Sequence, residues 1–260
     1  MGDRPWSGAL DAFRRQAASL EETGHRPWEV PGRQWVLGQT WERLLFAHWR
    51  ARPSELEQLI PAGLRLELFD GSGWLGITPF VLSGFRSVAM PPLPRVSTFA
   101  EVNVRTYVTA KEKPGILFFS LDAASRWAVE GARRFYRLPY YLADMEVDAV
   151  GEEVRYRSER RDQRGANASL LAAYGPDGAA AKPSPGTLEH FLTERYCLYA
   201  TEADGTLLRA EIHHSPWELR PAAVEIERNT MAPNGVTLSG EPLFHLGERQ
   251  DVLIWWPELV

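Results

Sequence analysis

Hydrophobic and polar residues alternate most strictly along 99–110, FAEVNVRTYVTA. Val102, Val104, Thr106 and Val108 occupy one face, and Glu101, Asn103, Arg105 and Tyr107 the other. A period of two is that of a β-strand. The turn KEKPG and the apolar run ILFFSLDA (116–123) then predict a strand that returns beside it. Ala124, Trp127, Ala128, Gly131, Ala132 and Phe135 follow at helical spacing, and Pro139 ends that helix. Next comes RLPYYLADM (137–145), where a proline fixes the chain ahead of two adjacent tyrosines. Adjacent strand residues point to opposite faces, so one of Tyr140 and Tyr141 faces the interior.

The same reading extends to the rest of the chain. Residues 7–22 form an amphipathic helix with Ser7 as its cap and Leu10, Phe13, Ala17 and Leu20 on one stripe. Residues 34–51 read as one strand and 53–60 as a short helix capped by Ser54. A hairpin is expected across Asp70-Gly71, a second through Gly151 and a third across Ala203-Asp204-Gly205. MPPLPRVS (90–97) is a loop, YGPDGAAAKPSPG (174–186) a connector, and the tail ends in the apolar strand DVLIWW (251–256). Many short strands with a few interposed helices indicate an α+β fold, mostly antiparallel, closed or strongly curved, with helices outside. Residues 1–30 are then a helical extension and 31–260 a single domain.

Composition narrows the chemistry. A net charge of −5 with no basic face excludes nucleic acid as a partner, and no apolar run is long enough to span a bilayer. A cytoplasmic protein is expected, since the N-terminus lacks a signal core. One cysteine, Cys197, rules out an internal disulfide. Phosphate-loop, dinucleotide, zinc-protease and nucleophile-elbow motifs are missing, so no cofactor is called for. His213 and His214 point to opposite faces if they lie in a strand, which argues against a shared metal ion and for hydrogen bonding to structure or ligand, His213 being the candidate. The Glu101–Tyr107 stripe has two readings, a solvent face over a valine core or the polar lining of a closed sheet's lumen. Arg133 or Arg134, at a helix end, can clamp a carboxylate.

Several spaced stretches, WERLLFAHW, FDGSGWLGITPF, FAEVNVRTYV, PGILFFSLDAAS, ARRFYRLPYYLADM, LTERYCLY and IHHSPW, resemble the YqjF-like proteins, a bacterial family of unknown function. That family is placed in the acetoacetate decarboxylase-like superfamily. The resemblance therefore implies a curved, cone-like β-barrel around a central cavity and a small-molecule ligand, and it allows a homo-oligomer. Between about Phe99 and Ala143 the chain also resembles the decarboxylase proper. There Glu101 falls on a cavity glutamate, and Tyr140 falls where the imine-forming lysine would stand. A phenol cannot form an imine. The chain's lysines, Lys111, Lys113 and Lys182, lie in a turn and a connector. Schiff-base decarboxylation is thus not expected. One expectation is a binder of a small polar or carboxylate-bearing molecule, using Glu101, Asn103, Arg105, Arg134, Tyr140 and His213. Another is a lyase, isomerase or hydratase with Glu101 as base and Tyr140 as acid or oxyanion donor. A third is an interaction protein whose two tyrosines are ordinary core.

Overall fold

The computed structural model describes residues 5–90, 92 and 97–260, with side chains from residue 11 onward. Its strands in chain order are β1 (Leu37–Glu42), β2 (Leu44–Ala51), β3 (Arg65–Leu66), β4 (Gly73–Ser87), β5 (Phe99–Ala110), β6 (Lys113–Ala123), β7 (Tyr140–Val150), β8 (Glu153–Arg160), β9 (Ser169–Pro176), β10 (Cys197–Thr201), β11 (Leu207–His213), β12 (Leu219–Asn229), β13 (Ser239–Gly247), β14 (Gln250–Ile254) and β15 (Glu258–Leu259). The helices are α1 (Pro5–Ala18), α2 (Pro53–Glu57), α3 (Arg126–Tyr136) and α4 (Leu188–Thr193).

The hydrogen-bonded ladder closes on itself twice. One circuit runs β1–β14–β11–β10–β6–β5–β4 and returns to β1. The other runs β6–β7–β8–β9–β12–β13–β2–β4–β5 and returns to β6. Strands β4, β5 and β6 are the wall common to both. Closure leaves few exposed edges, which suits a chain of many short strands. The sheet is mixed, because β6 pairs in parallel with β7 and β10. A parallel neighbour needs a crossover, and α3 supplies it between β6 and β7.

The shared wall accounts for the alternation along β5. Val102 and Val104 are fully buried and join Ile77, Tyr156 and Tyr174 in the core of the second circuit. Glu101, Asn103, Arg105 and Tyr107 are buried as well, facing the first circuit. The polar face is therefore internal, and the solvent-face reading is excluded.

Several local expectations are corrected. Residues 34–51 form two strands, because Arg43 adopts a left-handed φ of 54° and breaks the run. The N-cap of α2 is Arg52, with Pro53 in the first turn, so Ser54 lies inside the helix. The Asp70-Gly71 turn forms with positive φ at both residues. It closes only the bridge Phe69–Ser72, and β3 pairs with β5 instead of β4. In α1, Ser7 also lies within the helix, while Phe13 and Ala17 are exposed. The buried face carries Ala12 and Gln16, whose amide spans Thr40, the Gly84 carbonyl and Arg86. The side chain of Leu10 and most of the 90–97 loop fall outside the described residues. The hairpins through Gly151 and Gly205 form as expected. Strands β12 and β13 occupy the segment read as tail, β9 runs into the stretch read as connector, and helix α4 follows that stretch.

Candidate functional site

A cavity of about 290 Å³ occupies the first circuit beneath α3. Its inner end is polar, lined by Thr78, Glu101, Asn103, Arg105, Tyr140 and Arg195. Its opening lies beside Trp127, Phe135 and Trp256, all of them exposed. Register explains the grouping. Across the β4–β5 pair, Thr78 faces Asn103 and Gly76 faces Arg105, and on the other side Leu121 faces Asn103. A side chain at position 76 would not fit, because a Cβ there would lie 3.0 Å from the His48 ring and 3.2 Å from the Arg105 stem.

Tyr140 begins β7 directly after Pro139, in parallel register with Leu121. That puts its ring in the cavity and Tyr141 on the opposite face, beneath the Arg160 guanidinium at 4.1 Å. The Tyr140 hydroxyl donates to Glu101 Oε2 at 3.0 Å. Burial raises the Glu101 carboxyl from 4.5 to about 8, with the Tyr140 bond pulling it down and the Asp122 charge pushing it up. Burial likewise holds the Tyr140 hydroxyl well above its ordinary value, so it stays protonated. Tyr156, from the second circuit, donates to the main-chain carbonyl of Glu101 at 2.7 Å and fixes that point of the wall. The pair is a neutral carboxyl and a phenol, able to donate or exchange a proton.

Arg105 is 5% exposed. Its Nη2 donates to the Leu192 carbonyl at 3.2 Å, and the guanidinium lies over the rings of Phe46 and Tyr107. Its Nε has no partner, and among the described residues no carboxylate forms an ion pair with it. The side-chain oxygens of Thr78 and Asn103 are also unpartnered. Behind Arg105, His48 Nε2 meets the Tyr107 hydroxyl at 2.6 Å, and burial followed by the Arg105 charge keeps that imidazole neutral.

Of the residues singled out from sequence, Glu101, Asn103, Arg105 and Tyr140 converge on this cavity. Arg134 does not. It is exposed on the outer side of α3 against Phe135, and its neighbour Arg133 donates to the Tyr140 carbonyl at 2.8 Å. His213 does not either, its Nε2 lying 2.8 Å from the Ser19 carbonyl. The next residue, His214, lines the cavity, with ring nitrogens against the carbonyls of Ser215 and Arg195. Thr78 and Arg195 carried no signal in the sequence, and of the pair His213-His214 the sequence reading favoured His213. Arg195 stacks on Tyr107 and Phe191 and pairs with Glu67.

No lysine is among the residues lining the cavity. Lys113 pairs with Glu211 at 3.3 Å, Lys182 lies 3.8 Å from Glu218, and Lys111 sits in the β5–β6 turn. Among the described residues, no three of His, Cys, Asp or Glu cluster as a metal site, and no helix is long and apolar enough to cross a membrane.

Similarity to solved structures is confined to fold. The enduracididine biosynthesis enzyme MppR, complexed with pyruvate, superposes with a TM-score of 0.61 at 11% identity, covering 90% of this chain and 92% of that one. Acetoacetate decarboxylase from Legionella pneumophila gives 0.58 at 12% identity over 100% and 98%. An acetoacetate decarboxylase-like enzyme from Sphingomonas wittichii RW1 gives 0.61 at 13% over 92% and 100%. The fold is acetoacetate decarboxylase-like, with the sheet wound into joined rings. In sequence, the uncharacterised protein YqjF of Bacillus subtilis (strain 168) is 43% identical over 228 residues, 87% of this chain and 93% of that protein. Residues 38–251 match DUF2071, described as an uncharacterised conserved protein, and the chain belongs to this YqjF-like family.

Proposed function

We propose that the first circuit binds a small carboxylate-bearing molecule and performs no imine chemistry. The observation that carries this reading is Arg105, a buried guanidinium with no carboxylate partner, aimed into a cavity. A lone buried cation is costly, and an anionic ligand would compensate it. Asn103 and Thr78 would supply further polar contacts beside it. The neutral Glu101 carboxyl adds no repelling charge. The fold neighbour MppR holds pyruvate, itself a carboxylate. The test is saturation-transfer NMR of a monocarboxylate panel with the wild type and with Arg105→Met. Signals present in the first and lost in the second support the reading, and equal signals in both count against it. Borohydride with pyruvate should leave the protein mass unchanged, whereas a labelled lysine would overturn the exclusion of an imine.

One observation favours a second reading, an enzyme. Glu101 titrating at about 8 and touching Tyr140 at 3.0 Å is a donor–acceptor pair poised near neutral pH. Turnover of a bound acid that disappears in Tyr140→Phe, with binding intact, would establish it. Turnover unchanged in both Tyr140→Phe and Glu101→Gln would remove it.

A further inference from the structure

We infer that the ligand is an acid with a long apolar body, its carboxylate at Arg105 and its hydrocarbon running beneath α3 to the aromatic rim. This rests on the reading of Arg105 as a carboxylate site. Three features extend that reading from a short acid to an amphiphilic one.

The first is depth. Phe99, Glu101, Asn103 and Arg105 all line the cavity from one strand. At ~3.3 Å per residue, Arg105 and Phe99 lie about 20 Å apart along β5. A two- or three-carbon acid at Arg105 would leave most of that length empty. Between Arg105 and Phe99 the Glu101–Tyr140 pair is uncharged, and most of the remaining wall, with Leu44, Phe80, Leu82, Phe99, Leu121 and Ile254, offers a ligand hydrocarbon contact.

The second is the underside of α3. Its apolar stripe, evident in the sequence from its helical spacing, lines the cavity with Ala128, Gly131 and Ala132. Small residues at that spacing leave a channel where a helix would ordinarily press large side chains into a core. A Cβ added at Gly131 would meet nothing within 4 Å, so the space beside the helix is open.

The third is the rim. Trp127 is 82% exposed, Phe135 51% and Trp256 48%, and all three line the cavity. The rings of Phe135 and Trp256 lie 5.9 Å apart, and Tyr136 backs Trp256 at 5.8 Å. Large exposed aromatics grouped at the opening of an apolar cavity mark a surface that receives hydrocarbon. The charged Arg105 sits at the opposite end, about 20 Å from Phe99 along β5, and its position fixes the orientation, head inward and tail outward.

The decisive experiment is calorimetric titration of the full-length protein with pyruvate, decanoate and decanol. Decanoate should bind one per chain and at least a hundredfold tighter than pyruvate, since each buried methylene adds about a fourfold gain. Decanol should bind at least tenfold more weakly than decanoate. Gly131→Leu, which extends a side chain into the space beneath α3, should shrink the decanoate-to-pyruvate ratio by at least tenfold with the circular dichroism spectrum unchanged. Pyruvate binding as tightly as decanoate would overturn this inference and leave the carboxylate site standing. Decanol matching decanoate would overturn both, because hydrocarbon alone would then account for binding. Failure of decanoate to bind while pyruvate binds would overturn this inference alone, and failure of both acids would remove both readings.

Discussion

Across the shared wall of β4, β5 and β6, the circuit holding Val102, Val104, Tyr156 and Tyr174 packs side chain against side chain, whereas the circuit holding Glu101, Asn103 and Arg105 encloses about 290 Å³. One strand serves both by alternation. The difference teaches where this fold keeps its stability and where it keeps an unmet requirement. Charge shows it most directly. In the filled circuit Asp122 and Arg160 form a buried bidentate pair, with contacts of 2.6–3.1 Å. In the hollow circuit Arg105 has no such partner.

Breaking the satisfied pair should give the largest effect. Asp122→Asn keeps the shape but strands the Arg160 charge, whose side chain is only 7% exposed. The expected loss is about 3–5 kcal/mol in urea-derived unfolding free energy. A loss below 1 kcal/mol would mean that solvent already screens the pair and that the contrast with Arg105 is empty.

The next effect is a pH dependence that originates on the hollow side. The folded Glu101 carboxyl titrates at about 8 against an ordinary 4.5. Between those values the folded protein holds a proton that the unfolded chain has released, so stability falls as pH rises. From pH 5 to 7 this one group should remove about 2.5 kcal/mol. Buried histidines such as His48, His213 and His214, held below their ordinary value by desolvation, act the opposite way, losing stability as pH falls. The wild type must therefore be compared with Glu101→Gln, in which the carboxyl's contribution is absent. The stability difference between the two proteins should shift by that amount over this range. A difference independent of pH would put the carboxyl in its ordinary range.

Arg105→Met should do the reverse of Asp122→Asn. Removing a buried cation without a carboxylate partner should raise stability by about 1 kcal/mol, visible as a higher melting temperature, while abolishing acid binding. A variant destabilised by more than 1 kcal/mol would show the guanidinium already satisfied within the protein, which removes the reason to look for an anion.

How much of this was legible in the sequence depended on periodicity. The alternation of β5 placed Glu101, Asn103 and Arg105 on one face, and the Pro-Tyr-Tyr junction put one ring inside, which proved to be Tyr140. Two choices missed by a single residue. His214, not His213, reaches the cavity, because the alternation puts Ile212 and His214 on the cavity face and turns His213 to the other side, toward the Ser19 carbonyl. The guanidinium of Arg133, not of Arg134, donates to the main-chain carbonyl of Tyr140, since α3 leaves position 134 on the outside. Thr78 lay in β4, where both faces are buried and apolar residues run almost without a break, so no pattern distinguished it. Arg195 follows a single short helix and carries no local signal. By contrast, Ala222, Val224 and Ile226 alternate with exposed residues in β12, a period of two that the reading of this segment as tail passed over. The two-circuit closure was not legible, because it depends on β6 pairing with three strands, β5, β7 and β10, the last of them far away in sequence.

The smallest effect is also the most discriminating, because its sign differs between the circuits. Gly73, beside the filled core, has no room to grow. A Cβ there would stand 2.7 Å from Leu56 Cδ1 and 3.2 Å from the Ala51 carbonyl oxygen, which is main chain and cannot step aside. Gly73→Ala should therefore cost about 1 kcal/mol. Gly131 has right-handed helical geometry inside α3 and open space beyond it. Gly131→Ala should stabilise by about 0.5–1 kcal/mol, through helix propensity and a less flexible unfolded chain, with no packing penalty. Both are read from the same thermal or chemical denaturation series. If Gly131→Ala destabilised the protein as Gly73→Ala does, α3 would be pressed onto a filled interior, and the channel beneath it, with everything argued from its emptiness, would be gone.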